Sequence, residues 1–207
     1  MVLTNSTMLP LGISLPPFDL AVLQGASRFG DDAQQKGFNR ISSNTLGGKP
    51  LLFMMICVHC PFVKHVEEGL KNLDKDYGDL VEIFAVASNS LITHPEDGPE
   101  FMEKQVRQRG WQFPYLIDSS QNFAKALKAA CTPEFFLFGP LDKGEHLLKY
   151  RGQLDDSRPG NKIPVTGIDL RTALNDVLAD KEVCYAQKPS IGCNIKWHPG
   201  EEPSWFG

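Results

Sequence analysis

Two near-continuous apolar runs stand out in a chain whose hydrophobic and polar positions otherwise mix. The first, Lys49–Cys57 ("KPLLFMMIC"), follows Gly47-Gly48 and does not alternate, which is how a strand buried on both faces reads. The second, "DLVEIFAVASN", has Val81, Ile83, Ala85 and Val86 at its centre and predicts another buried strand. Between them, "PFVKHVEEGLKNLDKDYG" places Phe62, Val66, Leu70 and Leu73 at helical spacing. Pro61 suits the first turn of that helix, where its missing N–H is no loss, and Gly78 ends it.

The pattern continues with a helix over Pro99–Arg109, a short strand at "FPYLID", and a helix in "SSQNFAKALKAA" capped by Ser119 or Ser120. "CTPEFFLFGP" predicts a strand opened by Thr132-Pro133. Asp142, Lys143 and Gly144 supply a hairpin turn, and "EHLLKYRGQ" is the return strand. "TGIDLRTALNDVLADK" is the last helix, with Ile168, Leu170, Leu174, Val177 and Leu178 as its apolar side. Upstream, Gly25 to Gly48 is polar, with "FNRISS" as a short strand. From Lys181 the chain is Pro- and Gly-rich, carries Trp197 and Trp205, and predicts an extended tail. Strand-helix alternation followed by a hairpin predicts an α/β fold, a central mixed β-sheet flanked by helices on both faces. One domain over residues 1–180, with an N-terminal extension and a tail over 181–207 packed on it, is the expected organisation.

Composition narrows the function. The 207 residues are 42% hydrophobic and 22% charged, enough for one substantial core. A net charge of −4 gives no basic footprint for nucleic acid or an anionic membrane. The first twenty residues lack a basic segment followed by an apolar one, and no run approaches the roughly 20 apolar residues of a membrane helix. The expectation is a soluble, cytoplasmic protein.

Five cysteines remain: Cys57, Cys60, Cys131, Cys184 and Cys193. An odd number with one close pair is not a secreted disulfide framework, and in a reducing compartment a close pair points to catalysis or metal binding. Cys57-Val58-His59-Cys60 falls at a predicted strand-to-helix junction. There the helix dipole and unpaired N–H groups favour the thiolate, which is the reactive form. The spacing allows a disulfide to open and close without refolding. His59, when protonated, favours the thiolate further, and Lys64 and His65 lie one turn on, where both also read as ordinary helix residues. Burial of both cysteines as core residues is the bland alternative. So are a zinc or copper(I) site built from Cys57, Cys60, His65 and His59, and a scaffold used only for interaction. Thr132-Pro133 is the second informative pair. A cis bond there would expose the Thr132 N–H and C=O to pair with an extended substrate; an ordinary strand-initiating proline would not.

Taken together, "ICVHCPFVKH", "CTPEFFLF", "YRGQLDDSRPGN", "VTGIDLRTAL" and "PSIGCNIKW" resemble a peroxiredoxin-like group of the thioredoxin superfamily, the alkyl hydroperoxide reductase/thiol-specific antioxidant branch. The resemblance spans about Leu9 to Trp197 and implies a thioredoxin-like, peroxiredoxin-type fold and a thiol-dependent oxidoreductase. On it, Cys60 aligns with the peroxide-attacking cysteine, and Cys57 stands where a hydroxyl residue is usual, supplying a resolving partner. In a thioredoxin alignment the two roles exchange. Thr132 and Pro133 belong to the site, and Arg151 is the candidate for the thiolate-stabilising arginine, with Arg158 the other choice and a structural ion pair the alternative for both. Cys131 is a third redox thiol or a space-filler; Cys193 is a resolving thiol or an anchor for the tail; Cys184 has no assigned role. Peroxide or disulfide is the implied substrate and a dithiol such as thioredoxin the reductant, with a second copy of the chain as a further partner. No organic cofactor and no metal are implied. Asp155, Asp156 and Arg158 sit in a loop that turn chemistry alone explains.

Overall fold

A computed structural model describes residues 3–23 and 40–206 of the chain. Its strands are β1 (Leu3–Asn5), β2 (Asp19–Val22), β3 (Arg40–Ser42), β4 (Leu51–Met55), β5 (Glu82–Ala87), β6 (Tyr115–Ile117), β7 (Cys131–Thr132), β8 (Glu134–Phe138), β9 (Leu148–Gly152) and β10 (Ile191–Asn194). The helices are α1 (Pro61–Tyr77), α2 (Pro99–Arg109), α3 (Asn122–Ala126) and α4 (Ile168–Leu178). Among the described residues no helix is long and apolar enough to cross a membrane.

Seven strands form one sheet in the order β3-β2-β6-β5-β4-β8-β9. β4, β5 and β6 run parallel, while β2 and β8 join them antiparallel. The sheet is therefore mixed, as the alternation predicts. β4 is central and fully buried because successive side chains leave a strand on opposite faces and both faces are covered. Leu52 and Met54 pack with Val66, Leu70 and Leu73 of α1 and Leu170 and Leu174 of α4. Leu51, Phe53 and Met55 face the other layer, where Phe53 meets Phe18, Phe84 and Phe123 with ring centroids 5.5, 5.3 and 5.1 Å away.

Four details differ from the sequence reading. Phe62 is half-buried, and Val63 takes its place on the core side of α1. Ile168 is 58% exposed, because α4 buries Leu170, Ala173, Leu174 and Val177, and a residue two positions before Leu170 lies about 200° round the helix. α3 spans five residues, and its main cap is neither serine. The buried Asp118 carboxylate at the end of β6 accepts the N–H groups of Phe123 (3.3 Å) and Ala124 (2.9 Å), with Ser120 Oγ accepting only from Asn122 (3.3 Å). The return strand begins at Leu148, since Glu145 is used in closing the turn against Asp142. Of "FNRISS", Arg40–Ser42 is a strand; Phe38 and Asn39 lie outside the described residues.

The segment after Lys181 adds β10, which pairs on one side with β1 and on the other with β7 in a separate three-stranded sheet. That small sheet lies over the end of β4.

Candidate dithiol site

β4 stops at Met55. The Ile56 N–H still donates to Val86 O at 3.1 Å, and then the chain turns through Cys57, Val58 and His59 into α1. Cys60 occupies the cap position of α1, and its carbonyl accepts the Lys64 N–H at 3.0 Å. Both cysteines are free thiols and almost wholly buried, at 1% and 0% exposure.

Across from them lies Thr132, joined to Pro133 by a cis peptide bond. Cys57 Sγ is 3.5 Å from Thr132 Oγ1, and the Cys60 thiol donates to the Thr132 carbonyl oxygen at 3.3 Å. The dithiol and Thr132 thus meet. The backbone of Thr132, however, is not open to a substrate strand. β10 covers it, with Cys193 opposite Thr132 and Asn194 opposite Cys131, and the Ile195 N–H reaches Ala130 O at 3.0 Å. The fit is close enough that a Cβ on Gly192 would stand 2.0 Å from Thr132 O.

This pairing seats a third sulfur. Cys193 joins Cys57 and Cys60 in one buried cluster, and the thiols of Cys193 and Cys57 both act on the Cys60 sulfur. Cys193 first, then Cys57, with Thr132 and the Val63 N–H, hold the Cys60 thiol far below its usual range against the opposing effect of burial. Its partners move the other way. Cys57 is pushed up by its contact with Cys60, by burial and by the negative charge of Asp97, and Cys193 by Cys60 and burial. Of these three thiols, Cys60 at the positive end of α1 is the one favoured to ionise, and ionising it gives up the bond it donates to the Thr132 carbonyl.

Asp97, in the short 3₁₀ turn Pro95–Asp97, is the residue the sequence reading did not find. It is 2% exposed, and its carboxylate accepts the backbone N–H groups of Val58 (2.9 Å) and His59 (3.0 Å), the two residues between the cysteines. It also accepts from His59 Nδ1 (2.7 Å) and Asn89 Nδ2 (2.8 Å). Burial pushes the Asp97 carboxyl up, but the His59 and Asn89 hydrogen bonds outweigh it and hold the group below its usual value. The same bond raises His59, whose ring stacks on that of His94 at 5.1 Å. His94 is lowered by burial and by the neighbouring His59 charge.

Cys57, His59 and Asp97 present donor atoms within 4.8 Å of one another, the set that could hold a metal ion. Both Asp97 oxygens are already engaged by N–H donors, which argues for a hydrogen-bonded cluster. His65 points elsewhere, with Nε2 2.7 Å from Ser157 Oγ. Arg151 does not reach the thiols: its guanidinium bonds Leu9 O (2.6 Å) and Gln187 Oε1 (2.7 Å), tying two outer segments together. Arg158 bonds the carbonyls of Asp155 and Ser157 and lines a small pocket with Phe62, Pro133 and Ile191. Asp155 accepts from Ser157, Thr166 and Gly167, so it shapes its loop, and Asp156 pairs with Lys188 at 2.6 Å. Cys131 is buried, its thiol raised by that burial, and Cys184 is exposed.

A model of the AhpC/TSA family matches residues 15–146. Among solved structures, an uncharacterized conserved protein of Geobacillus kaustophilus is 43% identical, with a TM-score of 0.84 over 97% of this chain and 98% of that one. A hypothetical protein of Sinorhizobium meliloti 1021 is 40% identical, with a TM-score of 0.81 over 95% and 100% of the two chains. A thioredoxin-like protein solved in its oxidized form is 20% identical, with a TM-score of 0.56 over 85% and 100%, and shares the fold. No curated protein matches in sequence. The fold is thioredoxin-like, with the mixed central sheet and flanking helices that the sequence predicts.

Proposed function

This chain belongs to the AhpC/TSA family, and from that premise we propose that it is a thiol peroxidase in which Cys60 attacks and Cys57 resolves. The observation that carries this reading is position: Cys60 occupies the cap of α1, where the positive end of the helix favours a thiolate, while Cys57 lies a turn before it against Thr132 Oγ1. The directions of titration agree, Cys60 lowered and Cys57 raised, which is the peroxiredoxin assignment of roles and the reverse of the thioredoxin one. A thiolate at Cys60 attacks one oxygen of a hydroperoxide; the O–O bond breaks, the second oxygen leaves as alcohol or water after taking a proton, and Cys60 becomes a sulfenic acid. The Cys57 thiol then attacks the Cys60 sulfur, the S–O bond breaks, water departs, and a Cys57–Cys60 disulfide remains. An external dithiol, of which thioredoxin is an example, resets the pair.

The lack of a hydroxyl residue at position 57 leaves Thr132 Oγ1, 3.5 Å from Cys57 Sγ, as the nearby hydroxyl. Stopped-flow mixing of the reduced protein with hydrogen peroxide, followed by tryptophan fluorescence, tests the assignment. The fast phase survives Cys57→Ser and disappears in Cys60→Ser. A protein inert to peroxide whose exchange with a model disulfide depends on Cys57 would replace this reading with disulfide exchange.

A further inference from the structure

The resolved disulfide has to be reopened, and its chemistry poses a problem. A reductant that attacks Cys57 expels Cys60, the better leaving group, and needs no acid; one that attacks Cys60 makes the sulfur of Cys57 leave with the bonding electrons into a buried site that disfavours its thiolate. An acid at hand would relieve this. His59 Nδ1 lies 4.0 Å from Cys57 Sγ and 2.7 Å from Asp97 Oδ2, so one nitrogen faces both the sulfur and a buried carboxylate. Asp97 also holds the two N–H groups of the turn between the cysteines, which fixes where that nitrogen sits.

We propose that His59 is the acid that protonates Cys57 as the Cys57–Cys60 disulfide opens, and that Asp97 is the residue that positions and charges it. This inference rests on the dithiol reading given above. In the step, a thiolate of an external dithiol attacks the Cys60 sulfur. The S–S bond breaks, Cys57 leaves with the electron pair, and the Nδ1 proton of the His59 imidazolium gives up its bond to Asp97 and passes to Cys57. The second thiolate of the reductant then attacks its own sulfur in the mixed disulfide, releasing Cys60 as the thiolate. The reductant ends as a disulfide, the protein as a dithiol, and His59 recovers its proton from water.

The groups facing His59 are Asp97 and His94 from the 3₁₀ turn and its approach, Cys57 and Cys60 from its own segment, and Lys196 from the residues after β10. Asp97 favours the imidazolium most; Lys196 opposes it. The imidazolium is the acid, so the opening rate falls as pH rises through the raised titration of His59.

The experiment is the pH profile of disulfide reduction by dithiothreitol, each rate divided by the reductant's own thiolate fraction. Peptide mapping first establishes that the oxidised protein carries Cys57–Cys60. The wild-type profile falls with rising pH. In His59→Gln it is flat, and the neutral-pH rate is down by about a hundredfold, the lower end of what a positioned acid contributes. In Asp97→Asn, which keeps an oxygen for the two backbone N–H groups, the fall moves to lower pH. The nuclear magnetic resonance titration of the His59 ring moves with it. A His59→Gln profile that follows wild type overturns the proposal alone; failure of the disulfide to form on oxidation overturns it together with the dithiol reading.

Discussion

Glu134 opens β8 directly after Pro133, at 1% exposure, and its Oε2 accepts the N–H groups of Ala130 (2.8 Å) and Cys131 (3.3 Å). Burial pushes its carboxyl up from 4.5 to about 7, and those hydrogen bonds only partly oppose the rise. The folded chain therefore holds this proton more tightly than the unfolded chain does. The resulting stability is fully present below the unfolded value and is lost as pH climbs through the folded one. A shift from 4.5 to about 7, at 1.36 kcal/mol per unit, corresponds to about 3 kcal/mol. Glu134→Gln keeps an acceptor oxygen but cannot ionise. The assay is urea denaturation of both proteins across pH 4 to 9, followed by tryptophan fluorescence. The free energy of wild type relative to the variant should drop by about 3 kcal/mol between the unfolded and folded titrations and stay level on either side. Carboxylates elsewhere titrate in both proteins and cancel. A difference that does not vary with pH would refute the reasoning, since it would mean that Glu134 titrates alike in the folded and unfolded chains.

Two further outcomes follow from the packing. Cys193→Ala removes the largest stabiliser of the Cys60 thiolate, so the thiolate ultraviolet absorbance of the reduced protein should titrate at higher pH than in wild type. Leu70→Ala empties a fully buried position between α1 and the sheet and should cost about 2–5 kcal/mol in chemical denaturation, with the peroxide reaction of the folded fraction preserved.

The parts of this molecule that announced themselves in sequence are those held by local rules. β4 reads as a strand because five successive residues must find apolar neighbours on two faces, and α1 reads as a helix because its apolar residues recur on one side. Cys57-x-x-Cys60 is visible because both sulfurs belong to one turn. Asp97 was invisible for the opposite reason: it reaches His59 across 38 positions, and "HPEDG" reads only as turn chemistry. Asp118 was hidden in the same way, since a carboxylate at a strand end outcompeted the two serines that followed it. Arg151 shows how a residue type can be right for a role while its strand aims it at other partners, here Leu9 and Gln187. The tail gave no strand signal because β10 is four residues long and contains a glycine; its conformation is set by the two edges it lies between.

That glycine has a wider meaning. Nothing but a hydrogen fits between Gly192 and the Thr132 carbonyl, so the strand over Cys60 is admitted by the absence of one methyl group. Among the described residues β10 stands between β1 and β7 in their sheet, so whatever lifts it breaks both ladders together. The dithiol sits under a gasket cut from the chain's own cloth. A chain that would pair with the Thr132 backbone has first to displace this strand.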